Sequence, residues 1–237
     1  MANIALLTAA GIGSRMHQDI PKQFIHVNNK PIIIYTLEAF QNHPSIDYII
    51  VVTLESWIDV LKAYAKQFNI TKLKWIVPGG KTGQESIRKG LDVLHKEARP
   101  DDVVMVHDGN RPLVSSEIIS DSLATYAKHG SAVAVIPCVE VVFESENGST
   151  SCKSLEREKL YRTQTTHTYK ISELYAAHLE AEKLNIDNTA ASCILMERLG
   201  KTTYFSKGSE ENIKITTIED ITLFKALLNT EKGEWLK

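Results

Sequence analysis

Short apolar, β-branched runs recur along this chain with helix-patterned segments between them, and that alternation limits the fold more than any other feature. Ile4–Leu7, Ile46–Thr53, Leu73–Val77, Asp102–Val106 and Ala132–Pro137 read as buried strands. Pro31–Phe40, Trp57–Phe68, a segment from about Gln84 to His95, Ser115–Lys128 and Ile171–Leu184 carry apolar residues at helical spacing. Strands alternating with helices predict an α/β fold: a single, mostly parallel sheet with helices on both faces. Ligands then bind at the carboxyl ends of the strands. With 237 residues, one domain spanning 1–237 accommodates all of it.

The bulk properties mainly exclude. A net charge of −2 gives no general attraction to nucleic acid or anionic lipid, so any anion site must be local. No apolar run approaches the roughly 18 to 20 residues of a membrane span, and the chain enters its first strand with no basic leader. Cys138, Cys152 and Cys193 are odd in number, widely spaced and without CxxC. They favour a reducing, cytoplasmic setting over a zinc site or a disulfide framework. The eight histidines show no metal-ligand spacing.

The first strand runs into Ala9-Ala10-Gly11-Ile12-Gly13-Ser14-Arg15, with Pro21-Lys22-Gln23 close behind. Small residues let backbone amides approach an anion, and Arg15 and Lys22 add fixed positive charge, which suits a polyphosphate. The third glycine of the dinucleotide fingerprint is missing, and no Walker pattern occurs anywhere. What remains resembles the nucleotidyltransferase signature A-G-x-G-x-R-M followed by P-K-Q.

Two later strand ends carry similar chemistry. Pro78-Gly79-Gly80-Lys81-Thr82-Gly83-Gln84-Glu85-Ser86 suits close approach to a nucleotide, and on these residues alone it also reads as a turn that starts a helix. His107-Asp108-Gly109-Asn110-Arg111-Pro112 follows the fourth strand. Asp108 is placed to hold Mg²⁺, which takes one or two carboxylates plus substrate phosphates, or else it is a turn aspartate. Arg111 can reach a phosphate bidentately. His107 reads as a structural, hydrogen-bonding histidine.

With these motifs in hand, the chain resembles the cytidylyltransferases that make CDP-linked polyols. That family includes methylerythritol-phosphate cytidylyltransferase of isoprenoid synthesis and ribitol-phosphate cytidylyltransferase of wall and capsule synthesis. Its H-D-[AS]-x-R-P motif is matched by His107, Asp108, Arg111 and Pro112, and its N-I-K-[IV]-T motif by Asn212–Thr216. The similarity runs from Asn3 to about Leu228. It implies a Rossmann-like nucleotidyltransferase domain with a projecting arm, here the polar tract 138–160, through which a homodimer interlocks. Glu144–Ser149 is a plausible hairpin turn in that tract.

The same resemblance assigns roles. Arg15, Lys22 and Lys214 become the catalytic cations; Ala9, Ala10, Gly11, Gly13, Gly79, Gly80 and Ser86 bind CTP, with Asp108 on Mg²⁺. Arg111, Arg157, Thr165 and Thr189 meet the polyol phosphate, Arg157 reaching into the neighbouring subunit. Arg157 and Lys214 also read as a solvated charge and an edge-strand lysine. The chain departs from the family in four places. Gly83 stands where an arginine is expected, Thr166 and His167 replace proline and glutamine, Val141 replaces a threonine, and the T-D-[DE]-A motif becomes a stretch without acid around Ala191. Glu211–Thr216 is strand-like, with Thr216 and Glu219 forming a capping box for a helix through Leu228, and Lys225–Lys237 looks like a frayed tail.

The reaction implied is attack by a phosphomonoester oxygen on the α-phosphorus of CTP, releasing pyrophosphate. Missing hydrogen-bond partners near Val141 and Ala191 favour an alditol phosphate such as ribitol or glycerol phosphate. Methylerythritol phosphate is the alternative acceptor. Use of another nucleotide, and a non-catalytic nucleotide-binding relative, are further alternatives.

Overall fold

The computed structural model describes residues 1–11 and 20–229. Gly13 and Arg15 therefore lie outside the described residues, as does the tail beyond 229. The expected alternation is present: β1 (Asn3–Ala9), a small β2/β3 ribbon (His26–Val27, Lys30–Pro31), α1 (Ile32–Asn42), β4 (Tyr48–Thr53), α2 (Ile58–Gln67), β5 (Leu73–Pro78), α3 (Gly83–Glu97), β6 (Val103–Asp108), α4 (Ser116–His129) and β7 (Ser131–Pro137). Beyond a β8/β9 ribbon (Phe143–Glu144, Lys153–Ser154) come β10 (Tyr161–Lys170), α5 (Ile171–Lys183), α6 (Ser192–Arg198), β11 (Phe205–Lys207) and α7 (Ile218–Asn229).

Seven strands form the central sheet in the order β11-β7-β10-β6-β1-β4-β5. β1 pairs in parallel with β4 and β6, β4 with β5, and β7 with β11. Strand alternation sorts the core into two layers. Ala5, Leu7, Ile49 and Val51 face α1, α2 and α4, whereas Ile4, Leu6, Ile50 and Val52 face α3, α5 and α6. Each fully buried Leu or Ile contributes roughly 1.5–3 kcal/mol of transfer free energy. On the second face, a Cβ at Gly90 would meet Leu6 Cδ1 at 2.8 Å, so glycine there lets α3 lie close on the sheet. Helix ends follow local chemistry: the Ser115 hydroxyl accepts from the Ile118 amide at the start of α4, and Gly130 closes it at φ +82°.

Five features differ from expectation. β10 is antiparallel to both β6 and β7 and sits inside the sheet. Its threonines and histidine hide it from an apolar count, yet Gln164–Tyr169 is buried. α6 and β11 are also elements without a clear sequence pattern. The segment Glu211–Thr216 is not a strand: its backbone bonds go to the loop after β6, Ile215 N–H donating to the Asn110 carbonyl at 2.9 Å. The helix cap lies one residue later than the pattern implies, because Asp220 rather than Glu219 accepts from the amides of Thr216 and Thr217 at 2.7 and 2.8 Å. α7 itself continues through Asn229, so Lys225–Asn229 is helical rather than frayed.

Between β7 and β10 the chain forms an exposed excursion. The β8/β9 ribbon is closed by a turn in which Asn147 accepts from the amides of Ser149 and Thr150, both at 2.9 Å. Among the described residues no helix is long and apolar enough to cross a membrane.

Candidate functional site

The carboxyl ends of β1, β5 and β6, together with β10, the start of α6 and the segment before α7, enclose a cavity of about 820 Å³. Ala9, Ala10, Gly11, Lys22, Gly80 and Ser86 line it on the nucleotide side anticipated from sequence. Asp108, Arg111, Thr165, Thr189 and Lys214 line it as well. Residues widely separated in the chain thus share one space.

Each loop is held by specific bonds. Gln23, almost fully buried, donates to the carbonyls of Ala9 (2.5 Å) and Gly11 (3.2 Å), which fixes the described part of the first loop beside Lys22. Gly79 does not line the cavity. A Cβ there would fall 2.3 Å from Ala10 Cβ, so it is the residue that lets the β1 and β5 loops touch. The Ser86 hydroxyl is spent on the loop, accepting from the Gly80 amide (3.0 Å) and donating to the Thr82 carbonyl (2.9 Å). Gly83 is different: nothing stands within 4 Å of an added Cβ, so no packing demands a glycine where the family places arginine. Lys81, two residues earlier, lines the cavity instead.

At the other end, Asp108 is the electrostatic centre. Lys214 Nζ lies 3.2 and 3.1 Å from its two carboxylate oxygens, and Arg111 Nε lies 3.0 Å from one of them. Burial alone would raise its pKa, but Lys214 and Arg111 overcome that and hold the carboxyl well below the usual range. Arg111 also donates to the Asn212 carbonyl at 2.6 Å, so it is a clamp between two loops as well as a cavity cation.

A bulge in β10 ties these pieces together. Between Thr163 and His167 the register against β7 shifts, freeing Gln164 and Thr165 from the ladder. Gln164 donates to the Ser209 carbonyl at 2.8 Å and accepts from Asn212 Nδ2 at 3.2 Å; Asn212 Nδ2 also reaches the Thr165 carbonyl at 2.8 Å. Thr165 Oγ1 accepts from the Asp108 amide and donates to His107 Nδ1, each at 3.1 Å. His107 Nε2–H in turn donates to the Arg111 carbonyl at 3.3 Å. Burial keeps that imidazole neutral, with its pKa down at about 3, which is what a structural histidine requires. Gln23, Gln164 and Asn212 are site residues that the sequence reading did not assign. Two of them stand inside recognised motifs, and their buried amides are visible only once the loops meet.

Thr189 is held by Gln84, whose Oε1 accepts from its amide and its hydroxyl, both at 2.9 Å. Arg157 is not at this cavity. It lies exposed in the excursion, 3.4 Å from the Val139 carbonyl and 3.5 Å from Glu158. Val141 is likewise exposed there.

A mostly parallel sheet that gathers glycine-bearing loops, lysines and one carboxylate at its strand ends has the build of a nucleotidyltransferase. Solved structures agree. The fold superimposes on 4-diphosphocytidyl-2C-methyl-D-erythritol synthase from Anaerococcus prevotii with a TM-score of 0.82 at 25% identity, covering 97% of this chain and 96% of that one. The chain belongs to the family described as IspD, 2-C-methyl-D-erythritol 4-phosphate cytidylyltransferase, which it matches over residues 3–230. It is 42% identical over 230 residues to ribitol-5-phosphate cytidylyltransferase of Lacticaseibacillus paracasei, covering 96% of this chain and 98% of that protein. A 2-C-methyl-D-erythritol 4-phosphate cytidylyltransferase of Clostridium botulinum is 38% identical over 227 residues, covering 95% and 97%. The chain is accordingly an enzyme of the CTP-dependent cytidylyltransferase class.

Proposed function

We propose that this enzyme transfers CMP from CTP to an alditol phosphate of the ribitol or glycerol phosphate type. The observation that carries this reading is the convergence of Lys22, Asp108, Arg111 and Lys214 on one cavity. A phosphate oxygen of the acceptor attacks the α-phosphorus; the bond to the bridging oxygen breaks, and its electron pair leaves with pyrophosphate. The attacking phosphate is already anionic at neutral pH, so no general base is required, and catalysis rests on positioning and charge stabilisation.

Lys22 and Lys214 supply fixed positive charge for the triphosphate and its α-phosphorus; Arg15 of the first loop is assigned the same task from sequence. Arg111 receives the incoming phosphate. Its pairing with Asp108 and Asn212 means that it arrives already oriented. Mg²⁺ fits the donor set: Asp108 is an unprotonated carboxylate facing the cavity, and such an ion takes few protein ligands beside substrate phosphates. When bound there, it would neutralise charge on the triphosphate. Among the described residues no cluster of three or more His, Cys, Asp or Glu offers a rival metal site.

The homodimer through the excursion belongs to the same reading. Its support is apolar exposure, with Val139, Val141 and Phe143 at 63%, 69% and 63%. A neighbour covering that surface would bring Arg157 to a second cavity.

The acceptor preference draws on sequence and on relatives. The stretch around Ala191 has no acidic residue where the family motif has one. The 42% relative is named for ribitol 5-phosphate. Pyrophosphate release from CTP, measured with ribitol, glycerol and methylerythritol phosphates as acceptors, tests the assignment. Turnover with an alditol phosphate is expected; strong preference for methylerythritol phosphate overturns it.

A further inference from the structure

Gln84 belongs by sequence to the glycine-bearing segment after β5, yet its side chain is bonded to the loop between α5 and α6. Its Nε2 donates to the Ile186 carbonyl at 2.8 Å, and its Oε1 accepts from the Thr189 amide and hydroxyl, each at 2.9 Å. Across residues 182–190 every residue is exposed except Ile186 and Thr189, the two that Gln84 holds. Among the described residues, no other hydrogen bond reaches residues 187–190.

The contact continues one turn along α3. Arg88, four residues on and on the same face, stands 4.9 Å over the Tyr175 ring of α5 and 3.1 Å from a Glu182 carboxylate oxygen. Gln84 is the last link of this contact, where it meets the cavity that Gln84, Thr189, Ala190 and Ala191 all line. The nucleotide-side loop does not depend on that link. It is closed by its own bonds, the Gly80 amide donating to Ser86 Oγ at 3.0 Å and the Lys81 amide to a Glu85 carboxylate oxygen at 2.7 Å.

We propose that Gln84 is a positioning residue for the acceptor: its amide holds the loop 184–191 in place as a wall of the cavity. This rests on the reading above that sets the acceptor beside Thr189. A primary amide suits the task, because it gives a hydrogen bond to one carbonyl and takes two more while adding no charge beside two anionic substrates. Its place in the nucleotide-side segment would lead one to expect a weakened grip on CTP when it is replaced. The bonds it makes predict a weakened grip on the acceptor instead.

Gln84→Met keeps the length and helix preference of the side chain and removes all three bonds. Gln84 is half-buried and outside the apolar core, so this variant should fold. With CTP, Mg²⁺ and the acceptor of the panel above that turns over fastest, KM for the acceptor should rise about tenfold, the worth of one such bond, while KM for CTP stays put. A rise in KM for CTP, or a loss confined to kcat, overturns the proposal. Combining Gln84→Met with Thr189→Val, which removes a hydroxyl that Gln84 accepts from, should cost no more than the worse single variant; penalties that multiply overturn it. Hydrogen exchange of the free enzyme gives a readout independent of turnover. Peptides spanning 184–191 should exchange faster in Gln84→Met, and those of β1 and β6 should not. Unchanged exchange in the loop, or faster exchange throughout, overturns the proposal. A wild-type preference for methylerythritol phosphate overturns the alditol reading instead, and the Gln84 comparison is then made with that acceptor.

Discussion

The two ends of the cavity are built on opposite principles. Around Asp108 the charged groups hold one another: Lys214 and Arg111 on the carboxylate, Thr165 on its amide, His107 behind Thr165, and Asn212 bridging the β10 bulge to the Lys214 segment. Around Ser192, polar atoms on three elements are left without protein partners. Charged groups fixed beforehand need no reorganisation during a reaction. Each unpaired atom at the other end instead carries a desolvation cost of about 1–3 kcal/mol.

The largest expected effect breaks the preorganised end. Lys22→Ala and Lys214→Ala should each lower kcat on the order of 10²- to 10³-fold, the usual cost of one charge-stabilising donor. Lys214 is 43% exposed in its side chain, so its variant should fold normally. CTP-dependent pyrophosphate release checks this, and near-normal rates would remove these lysines from the mechanism.

A middle-sized effect separates the ends by pH. His107, His167 and His178 have folded pKa values of about 3, 4 and 4, below the roughly 6.5 of an unfolded histidine. The unfolded chain therefore binds more protons between those limits. Stability is complete above about pH 6.5 and drains as pH falls towards 4, by up to about 1.4 kcal/mol per pH unit for each histidine. Asp108, depressed below its unfolded value of about 3.9, adds its own loss only at lower pH, as its folded pKa is approached. Melting temperatures measured from pH 8 to 4 should be flat at first and fall below about 6.5. Replacing His178 with Phe should make that fall shallower.

The smallest effect lies on the nucleotide side. Space around Gly83 is open and α3 begins there, so Gly83→Arg should be tolerated or slightly stabilising, by up to about 1 kcal/mol of helix propensity. KM for CTP should fall if the added guanidinium reaches the nucleotide, while the discrimination among acceptors should not change. A shift in acceptor preference would mean that the two ends are not separate.

Much of the fold could be read from the chain because the signals are local. Apolar runs such as IIVVT and VVMV leave few options besides buried parallel strands, and the helices between them show their own spacing and caps. β10 escaped this reading: TQTTHT is polar in composition, and the partners that allow its burial are far away in sequence, as when Ser122 and Thr168 hydroxyls meet at 2.8 Å. The strand assigned to Glu211–Thr216 failed for the same reason, since its carbonyls and amides are taken by Asn110 and Arg111.

The sequence alone determined strands β1, β4, β5, β6 and β7, the glycine-bearing loops at strand ends, and Lys22, Asp108 and Lys214 as the residues of interest. Tertiary structure alone decided that Gly79 is a packing residue, that Gln23, Gln164 and Asn212 hold the loops in place, and that His167, His178 and Ser192 keep buried polar atoms without partners. Composition and spacing record what each residue prefers, whereas a buried hydrogen bond is made or missed by neighbours that only the folded chain brings within about 3 Å.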